Sequence, residues 1–251
     1  DRAWNGNEGP HTRVADPMPL IPLHDANPRL YIRAHYVTIA LILINALIFI
    51  SQLGIGDGQR FDAVAGYAVV PARFFDGLEV PVGIAGVSSP LTLITHQFLH
   101  ADWAHLAFNM LFLWVFGDNV EDALGHVRFV VFFLLCGVAG GLAQSIVEPE
   151  SVTPVIGASG AISGVLGGYL VLYPRARLLV LAFLMIPLRL PALLVIGTFF
   201  AQDLLWGLTN APAALGTAVW AHIGGFIAGA VLVVFMRNPR VPLWHKPPSP
   251  W

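Results

Sequence analysis

Four polar residues stand in largely apolar stretches: Ser159 in VIGASGAISGVLGGY (155–169), His222 in AHIGGFIAG (221–229), and His105 with Asn109 in HADWAHLAFN (100–109). A serine hydroxyl is a weak nucleophile until a positioned base takes its proton, and a neutral imidazole does this near neutral pH. Ser159 and His222 supply that pair. Attack on an acyl carbon creates an oxyanion, and one preorganised donor toward it is worth roughly 2.7–4 kcal/mol. His105 and Asn109 are four apart, hence one turn from each other on one helical face, and both carry side-chain N–H groups. The tight turn Gly157-Ala158-Ser159-Gly160 adds the Ser159 backbone N–H at a helix start, where unpaired donors and the dipole favour negative charge. Nucleophile, base and oxyanion donors together describe acyl transfer.

The elements that must position these groups are membrane helices. The chain is 56% hydrophobic and only 11% charged, with a mean hydropathy of +0.71, far from the balance of a soluble domain. A span needs roughly 20 mostly apolar residues. Six stretches come close: 36–53, 104–120, 127–147, 157–174, 191–208 and 217–236. The piece 178–188 is too short and is followed by Arg189 and Pro191, so an interfacial loop is expected there, the alternative being one tilted helix merged with the fifth span. With the N-terminus inside, every Lys and Arg except Arg60 and Arg73 falls on the cytoplasmic side, and six spans return both termini to it. The expected fold class is therefore an all-α polytopic membrane protein, a six-transmembrane-helix bundle over 31–237. N-terminal (1–30) and C-terminal (238–251) cytoplasmic tails flank it, loosely ordered over 1–28 and 239–251. The long outer loop, 54–103, carries apolar pieces and is expected to fold onto the membrane surface.

In this topology the second, fourth and sixth spans run from outside to inside, and their unusual polar residues lie near their outer ends. The helix from Ser159 is too short to cross a hydrocarbon thickness of about 30 Å, so its start is submerged, with residues 151–158 dipping inward to meet it. Irregular backbone at that depth must be buried or line a wet cavity, which predicts a water-filled pocket open to the outer side. Small residues at four-residue spacing, Gly160 and Gly164 in the fourth span and Gly225 and Gly229 in the sixth, suit close approach of the helices that bear Ser159 and His222.

With GASG at 157–160, His-x-x-x-Asn in HADWAHLAFN and AHIGGFIAG, the chain resembles the rhomboid family of intramembrane serine proteases over about residues 30–237. The resemblance implies a Ser-His dyad, with Ser159 as nucleophile and His222 as general base, and an oxyanion hole of His105, Asn109 and the Ser159 amide. It implies membrane-anchored protein substrates cut in or near a transmembrane segment, a lateral gate formed by the fifth helix and the loop at about 208–218, and no cofactor. Two positions depart from the pattern of some members. Ser163 stands where an aromatic residue stacks on the histidine, so the orientation of His222 must come from elsewhere; Leu91 and Thr92 replace a Trp-Arg pair, so the outer loop needs another anchor.

Other polar residues carry blander expectations. His100, and likewise His96, is read as holding the loop or the start of the second helix. Asp203 could complete a triad, but the resemblance implies a dyad, and a helix-end or gate contact is expected instead. Asp118, Glu121 and Asp122 are expected to bond loop or helix ends, and Cys136 to be a buried hydrophobe. Neither a basic face nor a nucleic-acid motif occurs, so the expected partners are membrane proteins and the lipid bilayer. The competing readings are a non-proteolytic binder of membrane proteins and a His-based metal site or transporter. No His-Glu-x-x-His segment supports metal chemistry, and no metal ligands are assigned. The positive-inside pattern suits a bacterial plasma membrane.

Overall fold

The computed structural model describes residues 20–53, 64–75, 86–183, 185–209 and 217–244. It is mostly helical. Six long helices coincide within a few residues with the six apolar stretches: α1 (Tyr36–Leu53), α2 (Trp103–Leu124), α3 (His126–Val147), α4 (Ser159–Leu172), α5 (Ala192–Leu208) and α6 (Val219–Met236). Among the described residues α1, α3 and α6 are long and apolar enough to cross a membrane, while α4 and α5 are apolar but shorter. Local chemistry sets the ends. The Asp102 carboxylate accepts the His105 N–H at 2.8 Å and so opens α2, and Gly125, at φ 79°, ends it and lets α3 begin at the next residue.

The outer surface is apolar. On α1, Thr38, Leu41, Asn45, Phe49 and Gln52 form one buried stripe, whereas Leu43, Leu47 and Ile50 face outward and are more than half exposed. Such a helix is inside-out for water and correctly built for lipid. No residue of α4 is exposed; it is the centre about which the bundle packs, with Phe116, Phe132, Phe133, Cys136 and Tyr169 in its core.

The all-α expectation is amended by a small antiparallel sheet of order β1-β2-β3: β1 (Leu20–Asp25), β2 (Arg177–Ala182) and β3 (Ile186–Pro191). The segment 178–188 is thus a β-hairpin and neither a loop nor part of α5. Residues 20–28, expected to be a loose tail, instead contribute an edge strand whose register shifts between Pro22 and His24. The expected C-terminal tail is also partly ordered: Val241 is buried and the Trp244 N–H donates to the Val171 carbonyl at 3.0 Å.

Carboxylates at the end of α2 tie this side together, as expected of them. Asp122 accepts the backbone N–H groups of Leu30, Tyr31 and Ile32 at 2.6–2.8 Å, and Glu121 accepts those of Val37 and Thr38 at the start of α1, at 3.0 and 2.8 Å. Orphan donors at a helix start thereby find charged acceptors. Asp118 lies 3.7 Å from Arg29.

Asp25 anchors β1 to the helices. Its carboxyl accepts the Tyr169 hydroxyl at 2.7 Å and the Asn119 amide at 2.8 Å, and it is buried. Burial pushes its pKa from an ordinary 3.8 up to about 7, against the lowering effect of the Tyr169 hydrogen bond. The folded carboxyl therefore binds its proton more tightly than the unfolded one, and stability is lost as pH rises through the window between those two values. In thermal melts of the detergent-solubilised protein, Asp25→Asn is expected to flatten the loss of melting temperature between about pH 4 and pH 7 shown by the wild type.

Candidate active site

Ser159 is the first residue of α4, and a strained turn places it there. Gly157 adopts φ 117°, a region that L side chains rarely enter, and its N–H donates to the His96 carbonyl at 2.9 Å. Val155, two residues earlier, forms a two-way backbone bridge with Val69 of the outer loop at 2.7 and 3.2 Å. In the segment 151–158, expected to dip inward, the Val155 N–H and C=O pair with Val69, and the Ser151 C=O with Ala72. That loop is held in turn by the Arg73 guanidinium, which donates to the carbonyls of Ala65 and Val87, and by the Thr95 hydroxyl on the Tyr67 carbonyl at 2.6 Å. These contacts supply the anchor that Leu91 and Thr92 do not.

His222 lies in the first turn of α6. Gln144 of α3 caps this helix: its side-chain oxygen accepts the N–H groups of Trp220 and Ala221 at 3.1 and 3.3 Å. The packing of α4 on α6 is the most extensive between any two elements, and glycines allow it. A Cβ at Gly225 would stand 1.9 Å from the Gly160 carbonyl oxygen, and one at Gly229 would stand 1.9 Å from that of Gly164. Backbone therefore meets backbone, and His222 Nε2 comes to 3.0 Å from Ser159 Oγ.

His105 joins this pair. A Cβ at Gly157 would fall 2.7 Å from His105 Nε2 and 3.7 Å from Ser159 Oγ, so the imidazole fills the space that the glycine leaves beside the serine. Asn109 is buried one turn further along α2, and its amide nitrogen donates to the His105 carbonyl at 2.8 Å. His100 packs edge-on against His105, with ring centroids 5.1 Å apart, as a residue supporting the start of α2 would. Burial holds His100 down to about 3 and His96 down to about 4, so both are neutral near pH 7. Among the described residues no three His, Cys, Asp or Glu side chains group as metal ligands would.

Asp203 departs from expectation. Its Oδ2 lies 3.3 Å from His222 Nδ1, the ring nitrogen facing away from Ser159, and is not merely a helix-end contact. Both side chains are about one-fifth exposed, so this group is not sealed from its surroundings. Residues 210–216, most of the expected gate loop, lie outside the described residues. The sequence reading missed Gln144 and underrated Asp203; the signal for each was a polar side chain in an otherwise apolar helix.

A family model described as the rhomboid domain matches residues 88–239, which takes in α2 to α6 and every residue of the site. The chain belongs to the rhomboid family. This rhomboid is 31% identical over 150 residues to "Rhomboid protein 1, mitochondrial" of Saccharomyces cerevisiae, covering 58% of this chain and 41% of that protein. It is 32% identical over 154 residues to "Rhomboid protease GluP" of Bacillus subtilis, covering 61% and 27%. To "Presenilin-associated rhomboid-like protein, mitochondrial" of Homo sapiens it is 30% identical over 173 residues, covering 63% and 42%. The chain spans less than half the length of these relatives.

The glycine contact makes a sharp demand on sequence. Gly229→Leu is expected to lower the unfolding free energy of this rhomboid by about 3 kcal/mol or more, read by SDS titration in mixed micelles, because backbone must move to admit the side chain. Gly197→Leu, at a position with open space around it, is expected to change it by less than about 1 kcal/mol.

Proposed function

We propose that the chain is a serine endopeptidase of the membrane interior, cutting membrane-anchored proteins in or near their transmembrane segments. The observation that carries this reading is the 3.0 Å contact between His222 Nε2 and Ser159 Oγ at the start of a helix. Ser159 Oγ attacks the scissile carbonyl carbon while its proton passes to His222 Nε2. The tetrahedral intermediate places its oxyanion against the Ser159 N–H, His105 and Asn109. For the last of these, the Asn109 amide turns from the His105 carbonyl toward the oxyanion. Collapse breaks the C–N bond, His222 returns the proton to the leaving amine, and water then hydrolyses the acyl-enzyme by the same route in reverse.

The site works inside a six-span bundle, in which α2, α4 and α5 cross with α1, α3 and α6. The short α4 opens at a water-filled hollow on the outer side, and α5 forms the lateral entry for substrate. The arginine asymmetry supports termini on the cytoplasmic or equivalent side. It speaks for an orientation and not for one membrane: relatives with mitochondrial names stand beside a Bacillus subtilis protein, and the bacterial plasma membrane is not carried further.

The test is cleavage of a model transmembrane substrate in proteoliposomes. Ser159→Ala and His222→Ala are each expected to lose turnover by about 10⁴-fold or more with melting temperature nearly unchanged, and Asn109→Ala to lose about 10²- to 10³-fold. Full turnover by Ser159→Ala defeats the mechanism. Binding of the substrate by wild type without any cleavage favours the non-proteolytic reading.

A further inference from the structure

We infer that Asp203 is a positioning residue for His222, holding the imidazole in the tautomer that carries its proton on Nδ1 and leaves Nε2 free to take the Ser159 proton. The activity tests of this inference rest on the protease reading above; the tautomer test rests on geometry alone.

The two nitrogens of one ring are engaged from two different helices. Nε2 is hydrogen-bonded to Ser159 Oγ of α4 at 3.0 Å, and Nδ1 lies at ion-pair distance, 3.3 Å, from Asp203 Oδ2 of α5. A serine hydroxyl that donates to Nε2 requires that nitrogen to be unprotonated, which puts the neutral ring's proton on Nδ1. An ionised carboxylate offers acceptors only, so Asp203 favours this tautomer and stabilises the imidazolium that forms when the serine is deprotonated.

The aim of Asp203 is fixed by helix packing. Phe200 stacks on Phe226 of α6, with centroids 4.4 Å apart, and Gly207 faces the Trp220 ring, where an added Cβ would lie 3.1 Å away. Residues 200, 203 and 207 share one face of α5, so the contacts on either side of Asp203 turn it toward the segment of α6 between Trp220 and Phe226, where His222 sits. A carboxylate in an otherwise apolar helix is costly, and here it has a definite partner. Ser163, one turn along α4 from Ser159, has no ring to do the same work, and among the described residues no aromatic ring stacks on His222.

The experiment uses the full chain in detergent micelles, with ¹⁵N-labelled histidine. Neutral His222 is expected to show a protonated Nδ1 and a bare Nε2 in the wild type, and a mixture of tautomers in Asp203→Asn. On a model transmembrane substrate, Asp203→Asn is expected to keep its melting temperature and a KM within about twofold while kcat falls at least about tenfold. Asp203→Glu restores part of the rate. A protonated Nε2 in the wild type, or wild-type kcat in Asp203→Asn, overturns the inference. A wild type with the Nδ1 proton but no turnover upholds the placement of Asp203 and removes the protease reading.

Discussion

Between α4 and α6 no side chain intervenes where Gly225 and Gly229 face the carbonyls of Gly160 and Gly164, each 1.9 Å from where a Cβ would stand. In lipid there is no hydrophobic drive to bring helices together, so their association depends on such close packing and on polar contacts. Ser159 precedes Gly160 by one residue, and His222 precedes Gly225 by three. Any separation of these backbones is therefore passed almost directly to the 3.0 Å between hydroxyl and imidazole. The helices are rigid levers of one turn or less, and the glycines set their fulcrum.

Many polar groups in this bundle have a partner built in. Gln144 satisfies the first N–H groups of α6, Asp122 and Glu121 those around the start of α1, and the bridge between Val155 and Val69 pairs backbone just before α4. Ser159, His222 and Asp203 follow the same logic with one difference: their partners are one another. Ser159 faces His222, and His222 faces Asp203, with contributions from α4, α6 and α5. A group assembled from three helices responds to how α5 sits as well as to the glycine contact.

Much of this was legible in the residues. Helix positions followed from apolar runs, because lipid leaves few other solutions for long stretches without charge. The pairing of the helices bearing Ser159 and His222 followed from the glycine spacing, which the structure turns into backbone contact. The small sheet was hidden: Leu178–Ala182 is a continuous apolar run without alternation, Leu20–Asp25 contains a proline, and their pairing joins segments more than 150 residues apart. Asp203 was hidden for a related reason. Its rotation about α5 depends on Phe200 and Gly207 meeting α6, a tertiary fact that spacing within one helix does not announce.

The central claim is that one imidazole activates one hydroxyl, and the most direct measurement is the rate and site of labelling by a serine-directed fluorophosphonate, read by mass spectrometry of the intact, folded chain. The account expects a single adduct on Ser159 that forms in wild type and is nearly abolished in His222→Ala. Labelling of a different serine, or an equal rate in His222→Ala, would contradict it.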